Sequence, residues 1–209
     1  MFVAKGLMIV CDGSNGAGKT TILKAISAHL ESKGREVVLT REPGGTPIGE
    51  KIRALVLSPE TPEMCDMTEL MLFSAARAQH LNEKILPALA EGKIVLSDRF
   101  SAATVSFQHY ARGLSLDAIE QLNSLVLGDF KPTINIILDL DPLVGLKRVH
   151  ARGEGLDRLE DQDINFLNRA REGYLKQAEQ YPESFAVINA DQPLPSVIQD
   201  TLSVIDALL

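Results

Sequence analysis

One stretch limits the possible folds more than any other part of the chain: CDGSNGAGKT, Cys11 to Thr20, placed directly behind the apolar run Leu7 to Val10. Its spacing is G-x-x-x-x-G-K-T, carried by Gly13, Gly18, Lys19 and Thr20, and the residues from Thr20 to Leu30 have helical patterning. A short apolar strand, a glycine-rich turn and a helix form the setting of a phosphate-binding loop. Across Gly13, Ser14, Asn15, Gly16, Ala17, Gly18, Lys19, Thr20 and Thr21, the glycines let backbone N–H groups converge on an anion. The helix adds its positive end. Lys19 reaches the outer phosphates, and the Thr20 hydroxyl suits Mg²⁺. The bland alternative is a strand-to-helix turn that binds nothing. The setting favours a nucleoside triphosphate, but the loop alone does not separate a kinase from a GTPase or a motor.

The remaining pattern has the same character. Apolar runs suited to buried parallel strands recur at 7–11, 36–40, 93–97, 134–139 and 185–188. Helical patterns lie between and after them, at 47–57, 67–90, 101–109, 115–127, 142–151, 160–180 and 193–208. Alternating strands and helices predict an α/β fold with a five-stranded parallel sheet flanked by helices. RVHARGEGLDRLE, 148–160, departs from packing logic. It is charged, contains Gly153 and Gly155, and reads as a short mobile lid able to close over a ligand.

Composition narrows the partners. The 209 residues suit one α/β domain, and the net charge of -7 argues against a nucleic-acid surface. Cys11 and Cys65 lack metal-ligand spacing and predict a reducing, cytoplasmic setting. No signal peptide and no membrane span are expected.

Ligands of open parallel sheets bind beyond the carboxyl ends of the strands, so charges at those ends carry the most information. Arg41 opens the turn TREPGG after the second strand, either as a solvated arginine or as a fork for phosphate. Asp98 and Arg99, in LSDRF, follow the third. There they form either a surface pair or a magnesium carboxylate beside a phosphate-contacting arginine. Phe73 and Arg77 share a helical face, where Phe73 serves either the core or a stacked base. Arg148, Arg152 and Arg158 are a solvated charge run or a clamp that neutralises a moving phosphoryl group. Two arginine clusters beyond the loop favour two phosphorylated ligands, hence a small-molecule kinase. No Asn-Lys-x-Asp segment of the GTPase kind is present.

With DGSNGAGKTT, TREPGGTPIGEKIR, LFSAARAQH, DRF, FQHYARG and ARGEGLDRLE in order, the chain resembles the thymidylate kinase family over essentially its whole length. Glycine at position 16 with arginines in the lid is similar to the family's bacterial type. The resemblance implies a P-loop kinase fold, a single nucleoside-monophosphate-kinase-like domain over 1–209 with its lid at about 148–160, and ATP-dependent, Mg-dependent phosphorylation of dTMP to dTDP. It implies ATP phosphates and magnesium at Lys19 and Thr20, and magnesium at Asp98. Arg41 and Arg99 would hold the acceptor phosphate. Phe73 would stack on thymine, Arg77 would bond its ring carbonyl, Gln108 would contact the base or its surroundings, and Asp12 and Phe107 belong to the acceptor side. Arg148, Arg152 and Arg158 are the lid candidates for transition-state charge. A homodimer is implied as well.

The departures lie where the acceptor would be read. Asn15 stands where the family usually has an acid associated with the sugar 3′-hydroxyl. Ala103 replaces a serine and Phe107 a tyrosine, and His109 and Tyr110 replace small residues. The competing readings are therefore a kinase of the same fold with altered or broader acceptor specificity, and a protein that binds ATP without turnover.

Overall fold

The computed structural model describes residues 6–151 and 157–209. Arg152, Gly153 and Gly155, parts of the expected lid, lie outside them. Five strands, β1 (Leu7–Gly13), β2 (Val37–Arg41), β3 (Ile94–Asp98), β4 (Ile134–Asp139) and β5 (Phe185–Asn189), form one all-parallel sheet in the order β2-β3-β1-β4-β5. Ile94, Val95 and Leu96 are fully buried, as are Ile9, Val10 and Cys11, so both faces of the central strands are covered. This is why those strands read as continuous apolar runs and do not alternate. Burying one such side chain is worth roughly 1.5–3 kcal/mol.

The helices are α1 (Lys19–Ser32), α2 (Pro47–Val56), α3 (Asp66–His80), α4 (Leu86–Ala90), α5 (Ser101–Thr104), α6 (Leu116–Leu127), α7 (Pro142–His150), α8 (Ile164–Gln180) and α9 (Leu194–Asp206). One core cluster joins α1 and α9 to the sheet through Ile22, Ile26, Leu30, Val197 and Ile205. On the other face Phe107, Phe166 and Tyr174 pack around Ile137, and Leu81, Ile85 and Phe100 pack around Met8 and Val95.

Three sequence expectations change. The helix expected over 67–90 is α3, a π-helical turn at Leu81–Ile85, and α4. Pro87 has no N–H to return to the carbonyl of Glu83, and the turn before it widens. The helix expected at 101–109 is α5 followed by a π segment, Val105–Ala111. Strand β1 runs two residues beyond its apolar run, because Asp12 and Gly13 pair with Ile137 and Leu138 of β4.

Register positions the site. Cys11 of β1 pairs with Asp98 of β3, which pairs with Arg41 of β2. The phosphate loop, the Asp98-Arg99 pair and the Arg41 turn therefore leave the sheet side by side at its carboxyl edge.

Candidate active site

The loop after β1 is shaped by close backbone approach. Gly16 has φ +77, and a Cβ there would lie 2.3 Å from the Gly145 carbonyl oxygen of α7. A Cβ on Gly145 would in turn lie 2.2 Å from the Asn15 carbonyl oxygen. This packing leaves no room for a side chain at position 16, so the loop cannot carry an arginine there without moving α7. Lys19 folds over the loop and donates to the carbonyls of Gly13 and Ser14 at 3.2 and 3.0 Å. Burial, with Arg99 nearby, pushes its ammonium down to about 8 against the pull of Asp98. The group is still charged near neutrality, and incoming phosphate oxygens would replace the two carbonyls.

Arg99 is held by its backbone as well as by its guanidinium. It is a non-glycine residue at φ +70, in the left-handed region that L side chains rarely adopt. Its N–H reaches the Cys11 carbonyl at 3.0 Å. Its Nη1 donates to the Tyr174 hydroxyl and its Nη2 to Asn15 Oδ1, both at 2.6 Å. The guanidinium also lies over the Phe107 ring, 5.0 Å from its centroid. The Tyr174 hydroxyl in turn donates to Asp12 Oδ1 at 2.8 Å.

The family resemblance places Asp12 on the acceptor side, and the structure corrects this: the residue is fully buried behind the loop. Its Oδ2 has no hydrogen-bond partner among the described residues. Burial raises its carboxyl to about 6, against the pull of Arg99, the Tyr174 hydrogen bond and Lys19.

A continuous cavity of about 330 Å³ runs from the phosphate loop to helix α3. Asn15, Gly16, Gly18, Lys19, Thr20 and Thr21 line one end, and Phe73, Arg77, Ala103, Thr104, Phe107 and Gln108 the other. Asp98 and Arg99 line the same cavity. Asp98 is half-buried and Thr20 is exposed at the cavity wall. A carboxylate and a hydroxyl beside the loop make a hard-oxygen donor set that fits Mg²⁺, which takes most of its other ligands from phosphates and water. Among the described residues no cluster of three or more His, Cys, Asp or Glu side chains could hold a metal alone, and a site shared with phosphate needs none.

Two arginines expected at the phosphates sit elsewhere. Arg158 donates through Nε to the Val56 carbonyl at 3.0 Å and through Nη2 to Glu69, and its backbone N–H reaches the Leu57 carbonyl. It caps the C-terminal end of α2, where a cation is favoured, and does not line the cavity. Arg148 is exposed and only grazes the Gly16 carbonyl, at 3.4 Å.

Arg77 lines the cavity, but most of its guanidinium is committed. Nε donates to Glu42 at 2.8 Å, Nη1 to Asn123, and Nη2 to the Phe100 carbonyl and Thr104 Oγ1. Of its five N–H groups, one on Nη1 is uncommitted among the described residues. Arg41 lines the cavity while paired with Glu50 at 2.9 Å, its side chain 53% exposed. Phe73 also reaches the cavity wall, which removes the purely core reading of that residue.

Several residues of the site escape a sequence reading. Arg53 of α2 lines the cavity, held by the Pro43 carbonyl at 3.0 Å. Its only local signal is its place in the TPIGEKIR segment. Tyr174 sits inside a long helical pattern with no motif around it. Glu42 is buried between Arg77 and His80, and His80 also meets the Thr40 hydroxyl at 2.7 Å.

The thymidylate kinase family model matches residues 11–201. The chain is 42% identical over 202 residues to a thymidylate kinase of Geobacillus sp. (strain WCH70), covering 96% of each protein. It is 45% identical over 204 residues to one of Teredinibacter turnerae, covering 98% of this chain and 99% of that one. A crystal structure of thymidylate kinase from Ehrlichia chaffeensis superposes with a TM-score of 0.79 at 30% identity, covering 96% of this chain and 98% of that one. Sheet order, loop, cavity and sequence agree, and the chain belongs to the thymidylate kinase family, in its bacterial type.

Proposed function

We propose that the protein transfers the γ-phosphoryl group of ATP to dTMP, forming dTDP and ADP. The observation that carries this reading is the continuity of one cavity, with a phosphate loop at one end and an aromatic-and-arginine pocket at the other. An oxygen of the dTMP phosphate attacks the γ-phosphorus. That bond forms as the bond to the β–γ bridging oxygen breaks, and ADP leaves with the electron pair. The acceptor oxygen is already ionised near neutral pH, so no general base is needed. The residues act by positioning and by neutralising charge. Loop N–H groups and Lys19 would hold the ATP phosphates. Arg99 would lie against the transferring group, and Arg41 and Arg53 against the acceptor phosphate. Phe73 would stack on thymine beside Thr104 and Gln108. Thr20 and Asp98 would hold magnesium, which would supply positive charge to offset that of the ATP phosphates.

The second reading, broader acceptor choice, has one specific support. Asn15 Oδ1 is engaged by Arg99, so the residue offers the cavity an amide donor where the family usually has a carboxylate. We further infer a homodimer through the α3–α6 layer, where Met67, Met71 and Leu125 are 41%, 54% and 82% exposed. A cytoplasmic location, with no nucleic-acid or membrane partner, is consistent with two free cysteines and the net charge of -7. The direct test of the reading is Mg-dependent formation of dTDP from ATP and dTMP by the wild-type protein, and its loss in Lys19→Ala. Absence of dTDP from folded wild-type protein overturns it. Light scattering of Leu125→Glu tests the dimer, which is expected to become a monomer.

A further inference from the structure

Glu69 is a fully buried carboxylate on α3 that sits outside the phosphate chemistry yet receives hydrogen bonds from three side chains. Its Oε1 accepts from Gln108 Nε2 at 2.8 Å and from Arg112 Nε at 3.3 Å. Its Oε2 accepts from Arg112 Nη2 at 3.0 Å and from Arg158 Nη2. Arg112 in turn holds Gln162 Oε1 at 3.1 Å, and Gln162 Nε2 returns to the Arg158 carbonyl at 3.0 Å. Glu69, Phe73 and Arg77 are four apart in succession and form one stripe of α3.

Burial alone would raise the Glu69 carboxyl, but hydrogen bonds from Arg112, Gln108 and Arg158 and the charge on Arg112 hold it below the usual range. An ionised carboxylate only accepts. Gln108 must therefore turn its NH₂ group toward Glu69. Gln108 is itself 2% exposed and lines the acceptor end of the cavity. With one N–H of Nε2 held by Glu69, the sense of the amide is fixed and Oε1, which makes no hydrogen bond among the described residues, is its acceptor for a ligand. An acceptor there matches a base edge carrying a ring N–H and mismatches one whose ring nitrogen is bare.

We propose that Glu69 is a positioning residue for base selection: it fixes the hydrogen-bond sense of Gln108, and Arg112 and Arg158 fix Glu69. This rests on the kinase reading above. The selected class is a nucleoside monophosphate whose pyrimidine has N3–H, and the rejected class is the cytosine type with an unprotonated N3. The residue touches no substrate. Its influence passes through one amide, so the amide's sense is the quantity to measure.

The experiment compares kcat/KM for dTMP and dCMP in wild type, Glu69→Gln and Glu69→Asp, each with its Tm. In Glu69→Gln the new amide offers either a donor or an acceptor, so Gln108 is free to turn over. The dTMP:dCMP ratio is expected to fall about tenfold in Glu69→Gln, the effect of one misoriented hydrogen bond. Glu69→Asp keeps an acceptor-only group, and its ratio is expected to stay within about threefold of wild type even if both substrates bind less well. A purely structural role lowers both substrates alike, and an unchanged ratio in folded Glu69→Gln overturns the proposal. If Glu69→Gln does not fold, Glu69→Gln/Arg158→Gln removes the unbalanced charge and the same ratio is read. If neither folds, the Gln108 side-chain amide is followed by ¹⁵N NMR in wild type. Slow exchange with water, unchanged when dTMP binds, supports the proposal, and an NH₂ group that exchanges freely or transfers to dTMP overturns it. Failure of wild type to make dTDP overturns the kinase reading and this proposal together. Normal turnover with an unchanged ratio overturns this proposal alone.

Discussion

Arg99 and Tyr174, far apart in sequence, share a 2.6 Å hydrogen bond that joins the arginine beside the phosphate loop to the buried Asp12. The tyrosine hydroxyl accepts from the guanidinium and donates to the carboxylate, so each bond fixes the other. A hydrogen bond to a charged group is worth about 1.5–3 kcal/mol, and about 1.4 kcal/mol is tenfold in rate. Tyr174→Phe is therefore expected to lower kcat by about tenfold or more while KM for ATP stays within about twofold. Steady-state kinetics check this. An unchanged kcat would show that backbone and Asn15 alone hold Arg99.

Asp12 provides a pH signature in the ligand-free protein. Its carboxyl rises from 3.8 to about 6 on folding, chiefly through burial. The folded state keeps a proton that the unfolded chain has released over that window. Its contribution to stability is thus present in full below 3.8 and is lost as pH rises through about 6. Roughly two pH units correspond to ~3 kcal/mol. Asp12→Asn does not titrate. The Tm of Asp12→Asn relative to wild type is expected to increase between about pH 4 and 6 and then level off, and a constant difference across that window contradicts the assignment.

Arg53 and Arg41 face the same cavity from unequal positions. Arg53 is held by the Pro43 carbonyl, while Arg41 is half exposed and already paired with Glu50. An exposed pair of that kind contributes only about 0–1 kcal/mol. Arg53→Ala is expected to raise KM for dTMP by more than Arg41→Ala does, with ATP affinity little changed in both. Substrate kinetics and calorimetric titration of a nonhydrolysable ATP analogue separate the two effects. Equal loss of ATP affinity would move these arginines to the donor side.

Gly145 and Gly16 interlock, with each blocking a side chain on the other's segment. Gly145→Ala places a methyl against the Asn15 carbonyl, so the loop has to shift. Overpacking of this kind costs about 1–3 kcal/mol. Both a lower Tm and an ATP affinity reduced about tenfold are expected. A Tm loss with normal ATP binding would mean that the loop keeps its shape and α7 moves.

What was legible in the sequence follows the range of the interactions. The strands were legible because both faces are buried and leave continuous apolar runs, as Ile94 to Leu96 show. The phosphate loop was legible because its glycines answer to local backbone geometry. Tyr174 and Glu69 were not, because their roles arise only when α8 and α3 meet the π segment and the loop. Arg158 misled because its place in a charged, glycine-containing segment suggested phosphate. Its guanidinium is drawn instead to the open carbonyls at the end of α2 and to Glu69. Both π turns were hidden for a similar reason: a helical apolar pattern does not reveal a single shifted hydrogen bond.

The most direct measurement of the account is product formation from ATP and Mg²⁺ with dTMP, dUMP, UMP, dCMP, dGMP and AMP in parallel, read as kcat/KM. The account predicts a clear maximum at dTMP, with UMP far below dUMP, since a ribose 2′-hydroxyl would have to fit against the Phe107 ring that lines the cavity. A flat profile, or a maximum at another acceptor, would contradict the assignment of dTMP.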